Sequence, residues 1–196
     1  MEIYQYLRIW NYFWQYPLNK KQTMKKISGL ILIITLSLIG HSCSFAQTAD
    51  IKWMTLPEVE AAMKKKPKKV FVDVYTDWCG WCKRLDATTY KDAAVVKYIN
   101  ENYYSVKLDA EMKEAINYQG KTYNYEASMK KNLVANQFMG ASGGYPTLTY
   151  LDENFKVLTV NPGYVDAAAF IKTLKYYGDN YYLNMDVTKY LNEVAK

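Results

Sequence analysis

Histidine and cysteine are scarce in this chain. It has one histidine, His41, and three cysteines, Cys43, Cys79 and Cys82, in 196 residues. Most zinc sites, and any histidine-based catalytic triad, are therefore excluded beyond the N-terminal segment. So is a disulfide-dense scaffold. No glycine-rich phosphate loop is present, and nothing in the sequence calls for a metal, nucleotide or flavin. Long apolar runs are also missing. The longest candidate, Ile27 to Ile39, has 13 residues, where roughly 18 favour a transmembrane helix. Excess charge is confined to one place. The net +6 includes Arg8, Lys20, Lys21, Lys25 and Lys26 against Glu2 alone in residues 1–46, so the rest holds 20 basic and 18 acidic residues. That near-neutral remainder disfavours a dedicated nucleic-acid binder. Half of the residues are apolar and 22% are charged, which fits one globular domain.

Residues 1–46 read as a targeting segment. Met24-Lys25-Lys26 before the 13-residue apolar run matches the basic start and core of a signal peptide. Ser44-Phe45-Ala46 puts small residues at the minus-three and minus-one positions, so cleavage is expected after Ala46. The product, 47–196, would be periplasmic or secreted. A lipid anchor on Cys43 is the alternative, although Gly40-His41-Ser42 is a poor match to a lipoprotein signal. Residues 1–23 fit no targeting class, and translation is expected to begin at Met24. An unusually long n-region is the other reading.

From 47 to 196 there is no internal repeat or low-complexity block. Thr55-Leu56-Pro57-Glu58 opens a helix through about Lys65. Lys69 to Tyr75 is a buried-strand pattern with one acid, Asp73, inside it. Helical patterns follow over Cys79–Thr88 and Asp92–Asn102, then a strand over Tyr103–Leu108. Residues 117–123 suggest a hairpin around Gly120. Ala127 to Met139 is expected to be a helix, and 140–144 a flexible loop. Thr147–Leu151 and Lys156–Val160 form an antiparallel hairpin, Val165–Tyr177 a helix, and 179–196 one more. The resulting class is α/β, a mixed central sheet flanked by helices.

The chemistry centres on Trp78-Cys79-Gly80-Trp81-Cys82-Lys83. Cys79 falls at a strand-to-helix turn, where free N–H groups and the helix dipole favour a thiolate. Cys82 is one helical turn on, close enough to close a disulfide with it. Three plainer readings exist: a structural disulfide, a zinc half-site and inert buried thiols. A four-residue loop gives little entropic stabilisation, the further zinc ligands are missing, and the turn is expected to be exposed.

With Tyr145-Pro146-Thr147 before a later strand, this pattern resembles thioredoxin-like proteins over about residues 51–178. The segment Thr88-Thr89-Tyr90-Lys91-Asp92 followed by a helix is similar to the exported branch. That branch is related to the C-terminal domain of the periplasmic thiol:disulfide interchange electron-transfer protein. The resemblance implies a redox disulfide Cys79–Cys82, with Cys79 attacking and Cys82 resolving. It implies a buried carboxylate at Asp73, six residues before Cys79, acting as base, and Lys107 as its nearby lysine. It also implies a cis peptide before Pro146. Trp78, Gly80, Trp81, Tyr145, Pro146 and Thr147 would then contact substrate. Two departures stand out: Trp81 replaces the usual proline, and 110–135 is an insertion ahead of the cis-proline loop. The expected activity is reduction or isomerisation of disulfides in envelope proteins, fed by a membrane thiol donor. A chaperone or adaptor with a non-catalytic cysteine pair is the alternative.

Overall fold

The computed structural model describes residues 50–141 and 143–194. The expectations for Met24, Cys43 and cleavage after Ala46 lie outside the described residues. No helix among those described is long and apolar enough to cross a membrane.

Strand β2, Lys69–Tyr75, is the hub of the fold. Its first six residues are buried, and its side chains alternate between two apolar layers. Val70, Val72 and Val74 enter one core, and Phe71 enters the other. Strand β1, Trp53–Met54, and β3, Tyr103–Asp109, run parallel to it, and β1 pairs with the far side of β3. Strand β8, Thr147–Leu151, pairs antiparallel with β2, and β9, Val157–Pro162, closes that edge. The mixed sheet is as expected, with β1 as a short extra strand that the sequence reading does not place.

Helix α1, Leu56–Lys65, lays Leu56, Val59 and Met63 on the valine face. It starts at a full capping box: Thr55 N–H donates to Glu58 Oε2 at 2.7 Å, and Glu58 N–H donates to Thr55 Oγ1. The opposite face is covered by α2, Gly80–Ala87, α3, Ala93–Asn102, and α4, Ala167–Gly178. They contribute Leu85, then Val95, Val96 and Ile99, then Phe170 and Leu174. A last helix α5, Val187–Glu193, follows α4.

The insertion begins with a hairpin of β4, Ile116–Tyr118, and β5, Lys121–Tyr123. Its two-residue turn has positive φ at both Gln119 (49°) and Gly120 (72°), the backbone such a tight turn demands. The helix expected over 127–139 does not form. Strands β6, Tyr125–Glu126, and β7, Lys131–Asn132, make a small hairpin instead, and a 3-10 turn over Leu133–Gln137 follows. The reason lies in tertiary bonds. Asn132 is fully buried, and its N–H donates to Ala110 O at 2.7 Å. Its side-chain amide donates to Glu114 O at 2.9 Å, and its Oδ1 accepts from Val134 N–H. Lys130 turns the chain at φ 52° to reach that position. These three hydrogen bonds of a buried residue outweigh the modest helical preference of the segment.

Candidate redox site

β2 ends at Tyr75, and Thr76–Trp78 turns the chain into α2. Cys79 N–H donates to Thr76 O at 3.1 Å, which tightens the turn. Cys79 is the N-cap of α2, and its Sγ accepts from Cys82 N–H at 3.1 Å. A free helix N–H is thus aimed at the leading sulfur, and it would stabilise negative charge there. Cys79 and Cys82 are joined in a disulfide with Cα atoms 5.3 Å apart. The sulfur-bearing residues are more covered than the exposed turn suggests, at 4% and 1% accessibility. What is exposed is the flanking tryptophans, Trp78 at 65% and Trp81 at 55%. Gly80 opens α2, and a Cβ there would meet nothing within 4 Å, so packing alone does not require glycine.

The two tryptophans have separate partners. Trp78 meets Tyr145 edge to face at 5.7 Å, and its Nε1–H donates to Glu111 Oε1 at 3.0 Å. Trp81 packs on Tyr164 at 5.5 Å, and the Arg84 guanidinium lies over both rings. The Tyr145–Pro146 bond is cis. The loop is tied down on both sides: Thr147 Oγ1–H donates to Gly144 O at 2.6 Å, and Gly163 N–H donates to Pro146 O at 2.7 Å.

Asp73 is the fully buried acid of the central strand. The β2–β3 register sets Lys107 directly across from it, and Lys107 Nζ–H donates to Asp73 Oδ2 at 2.6 Å. Burial pushes the Asp73 carboxyl above the usual carboxylate range. The charge and hydrogen bond of Lys107 oppose that shift, and the Asp86 charge adds to it. Lys107 also bridges to Asp86, and its ammonium sits among the rings of Trp53, Tyr75 and Tyr90. Asp73 Oδ1 and the Tyr90 hydroxyl are buried with no hydrogen-bond partner among the described residues. Trp53, Asp86, Tyr90 and Lys107 line a cavity of about 330 Å³, which opens this cluster to water.

All ten sequence-predicted residues therefore fall on the cysteine turn, the cis-proline loop or the buried ion pair. The contributors missed include Asp86, Tyr90 and Glu111, and Arg84 and Tyr164 beside Trp81. A signal existed for Asp86. Cys79, Cys82 and Asp86 are spaced 3 and 4 apart, which puts them on one helical stripe.

A disulfide-bonded cysteine pair at a helix start, a cis-proline loop and a buried carboxylate on this mixed sheet define a thioredoxin-fold protein. The family described as thioredoxin-like domain matches residues 56–178, and the chain belongs to it. With its Cys79–Cys82 pair it is a thioredoxin-like thiol–disulfide oxidoreductase. An uncharacterized protein of Archaeoglobus fulgidus is 30% identical over 44% of this chain and 68% of its own length. The thiol:disulfide interchange protein DsbD of Vibrio vulnificus is 25% identical over 69% of this chain but only 21% of its own length. Among solved structures, a thioredoxin-fold protein from Helicobacter pylori matches with a TM-score of 0.51 and 17% identity. It covers 78% of this chain and 91% of that one, a likeness of fold.

Proposed function

We propose that this chain is an exported thiol–disulfide oxidoreductase that reduces or isomerises disulfides of envelope proteins. In the dithiol form, the Cys79 thiolate attacks a client disulfide. A bond forms between Cys79 and one client sulfur, and the other client sulfur leaves as a thiolate. Cys82 then attacks Cys79 and expels the client's remaining thiolate. The protein is left as the Cys79–Cys82 disulfide, and two electrons have passed to the client. Asp73 accepts the proton of Cys82, and Lys107 sets the basicity of Asp73. Tyr145 offers backbone groups to an extended client segment. A membrane thiol donor returns the two electrons, because exported compartments keep thiols oxidised.

The observation that carries this reading is the disulfide at the first turn of α2, with Cys82 N–H aimed at Cys79 Sγ. Export rests on Lys25-Lys26 and the apolar run after them. The deciding measurement is the reduction potential of the pair, equilibrated against dithiothreitol or glutathione buffers. A value near about −270 mV supports a reductant, and one near about −120 mV replaces it with a disulfide donor. Cys79→Ser must abolish reduction of insulin disulfides while client binding persists. A parent protein that reduces nothing would favour a chaperone or adaptor.

A further inference from the structure

Glu111 links the insertion to the cysteine turn. Glu111 follows the end of β3, where its own N–H donates to Asp109 Oδ1 at 2.9 Å. Its side chain accepts from the Trp78 indole, so the first exposed ring of the cysteine turn is held from the insertion side. Trp78 in turn meets Tyr145, the residue whose backbone faces clients in the reading above. Glu111 is thus placed to orient one wall of the client cleft.

That wall also carries a sign. Partial burial raises the Asp109 carboxyl and the hydrogen bond from Glu111 N–H lowers it; the Asp77 and Glu111 charges raise it again, against Lys113. Burial raises the Tyr145 hydroxyl's pKa, and the Glu111 and Asp109 charges add to it. Three carboxylates, Asp77, Asp109 and Glu111, thus gather on the side of the turn that holds Trp78 and Tyr145, with Lys113 as a counter-charge. The opposite wall is different, with Arg84 spread over Trp81 and Tyr164. Charges at the edge of a binding cleft act on encounter and partner choice more than on depth of binding.

Resting on the oxidoreductase reading, we propose that Glu111 is a specificity-determining and positioning residue. It pins Trp78 and favours client segments with a cationic side chain beside the reactive cysteine. Its carboxylate does not touch the reacting sulfurs. It selects by placing negative charge on the lip where the client chain enters.

The test uses the full chain in its dithiol form and three cysteine peptides, each a mixed disulfide with thionitrobenzoate. The peptides differ only in the residues flanking cysteine, which are Lys, Gln or Glu. Attack of Cys79 on the peptide sulfur releases the coloured thionitrobenzoate, and Cys82 then frees the peptide thiol. At about 10 mM salt the Lys peptide should react about 5-fold faster than the Glu peptide, with the Gln peptide between. At about 0.5 M salt the span should fall below about 2-fold, because the screening length drops to a few ångströms. Glu111→Gln retains an acceptor for the indole and removes the charge, so it should shrink the low-salt span. Glu111→Ala should shrink it equally and also shift the Trp78 fluorescence. Equal rates for the three peptides at low salt would overturn the proposal, as would an undiminished span in Glu111→Gln. A Gln peptide left unreduced would overturn the oxidoreductase reading itself, and the inference with it.

Discussion

Replacing Lys107 by Met isolates the electrostatics of the buried acid. Lys107 Nζ is 2.6 Å from Asp73 Oδ2, Asp73 is fully buried and Lys107 is 18% exposed. Breaking a buried pair by removing one partner costs about 3–5 kcal/mol. The partial water access of Lys107, and the freedom of Asp73 to take up a proton, place the expected loss near about 3 kcal/mol at alkaline pH. Its pH dependence follows from the raised Asp73 pKa. A group whose folded pKa lies above its unfolded value contributes its full stability at low pH and loses it as pH rises through the folded pKa. Removing the cation raises that folded pKa further, with Asp86 left as an unopposed neighbouring charge. The variant and parent should therefore be close in stability at acid pH and diverge as pH rises through the parent's Asp73 pKa. Urea denaturation of the oxidised proteins at several pH values reads this directly, because the disulfide keeps the cysteines from titrating. A deficit that is flat across pH would refute the assignment of Lys107 as the charge partner of a buried, titrating Asp73.

Four further outcomes are expected. Cys82→Ala should trap mixed disulfides with clients, visible as adducts on non-reducing gels of envelope extracts, since the resolving thiol is gone. A clean lane despite good expression would count against the mechanism. Asp73→Asn should slow resolution more than attack in stopped-flow reduction of a peptide disulfide, and equal slowing of both steps would argue against a base. Thr55→Ala removes the α1 capping box and should cost about 1 kcal/mol in denaturant unfolding; no loss would mean Glu58 alone caps the helix. Gly178→Ala should destabilise by about 1–3 kcal/mol, because a Cβ there would lie 2.5 Å from the Tyr98 hydroxyl and 3.2 Å from Tyr103. A neutral result would mean that Tyr98 gives up its bond to Asp179 without cost.

Much of this site was legible because its residues announce themselves locally. A β-branched run holding one acid, a Cys-x-x-Cys after it and a Tyr-Pro-Thr before a later strand each carry a backbone or chemical constraint within a few residues. Lys107 became legible through the resemblance, and the β2–β3 register supplies its physical reason. What stayed hidden depends on distant partners. Ala127 to Met139 has helical spacing, yet buried Asn132 must reach Ala110 and Glu114 across the insertion, and the chain bends at Lys130 to allow it. Tyr90 reads as one aromatic among many until its hydroxyl is found without a partner beside Asp73.

The same distinction explains why the cysteine turn can be exposed and protected at once. Its sulfurs are covered, while its tryptophans carry the accessible surface. Each tryptophan is held by a residue far away in sequence, Trp78 by Glu111 and Tyr145, and Trp81 by Tyr164. Burial and the cap N–H act on what the cysteines can do as acids and nucleophiles, through groups within one helical turn. On the proposed reading, client choice falls to the walls around the two tryptophans, which come from the insertion, the cis-proline loop and the segment after β9. Substitutions in the walls should therefore change which disulfides react. Substitutions at Asp73 or Lys107 should change how fast any of them does.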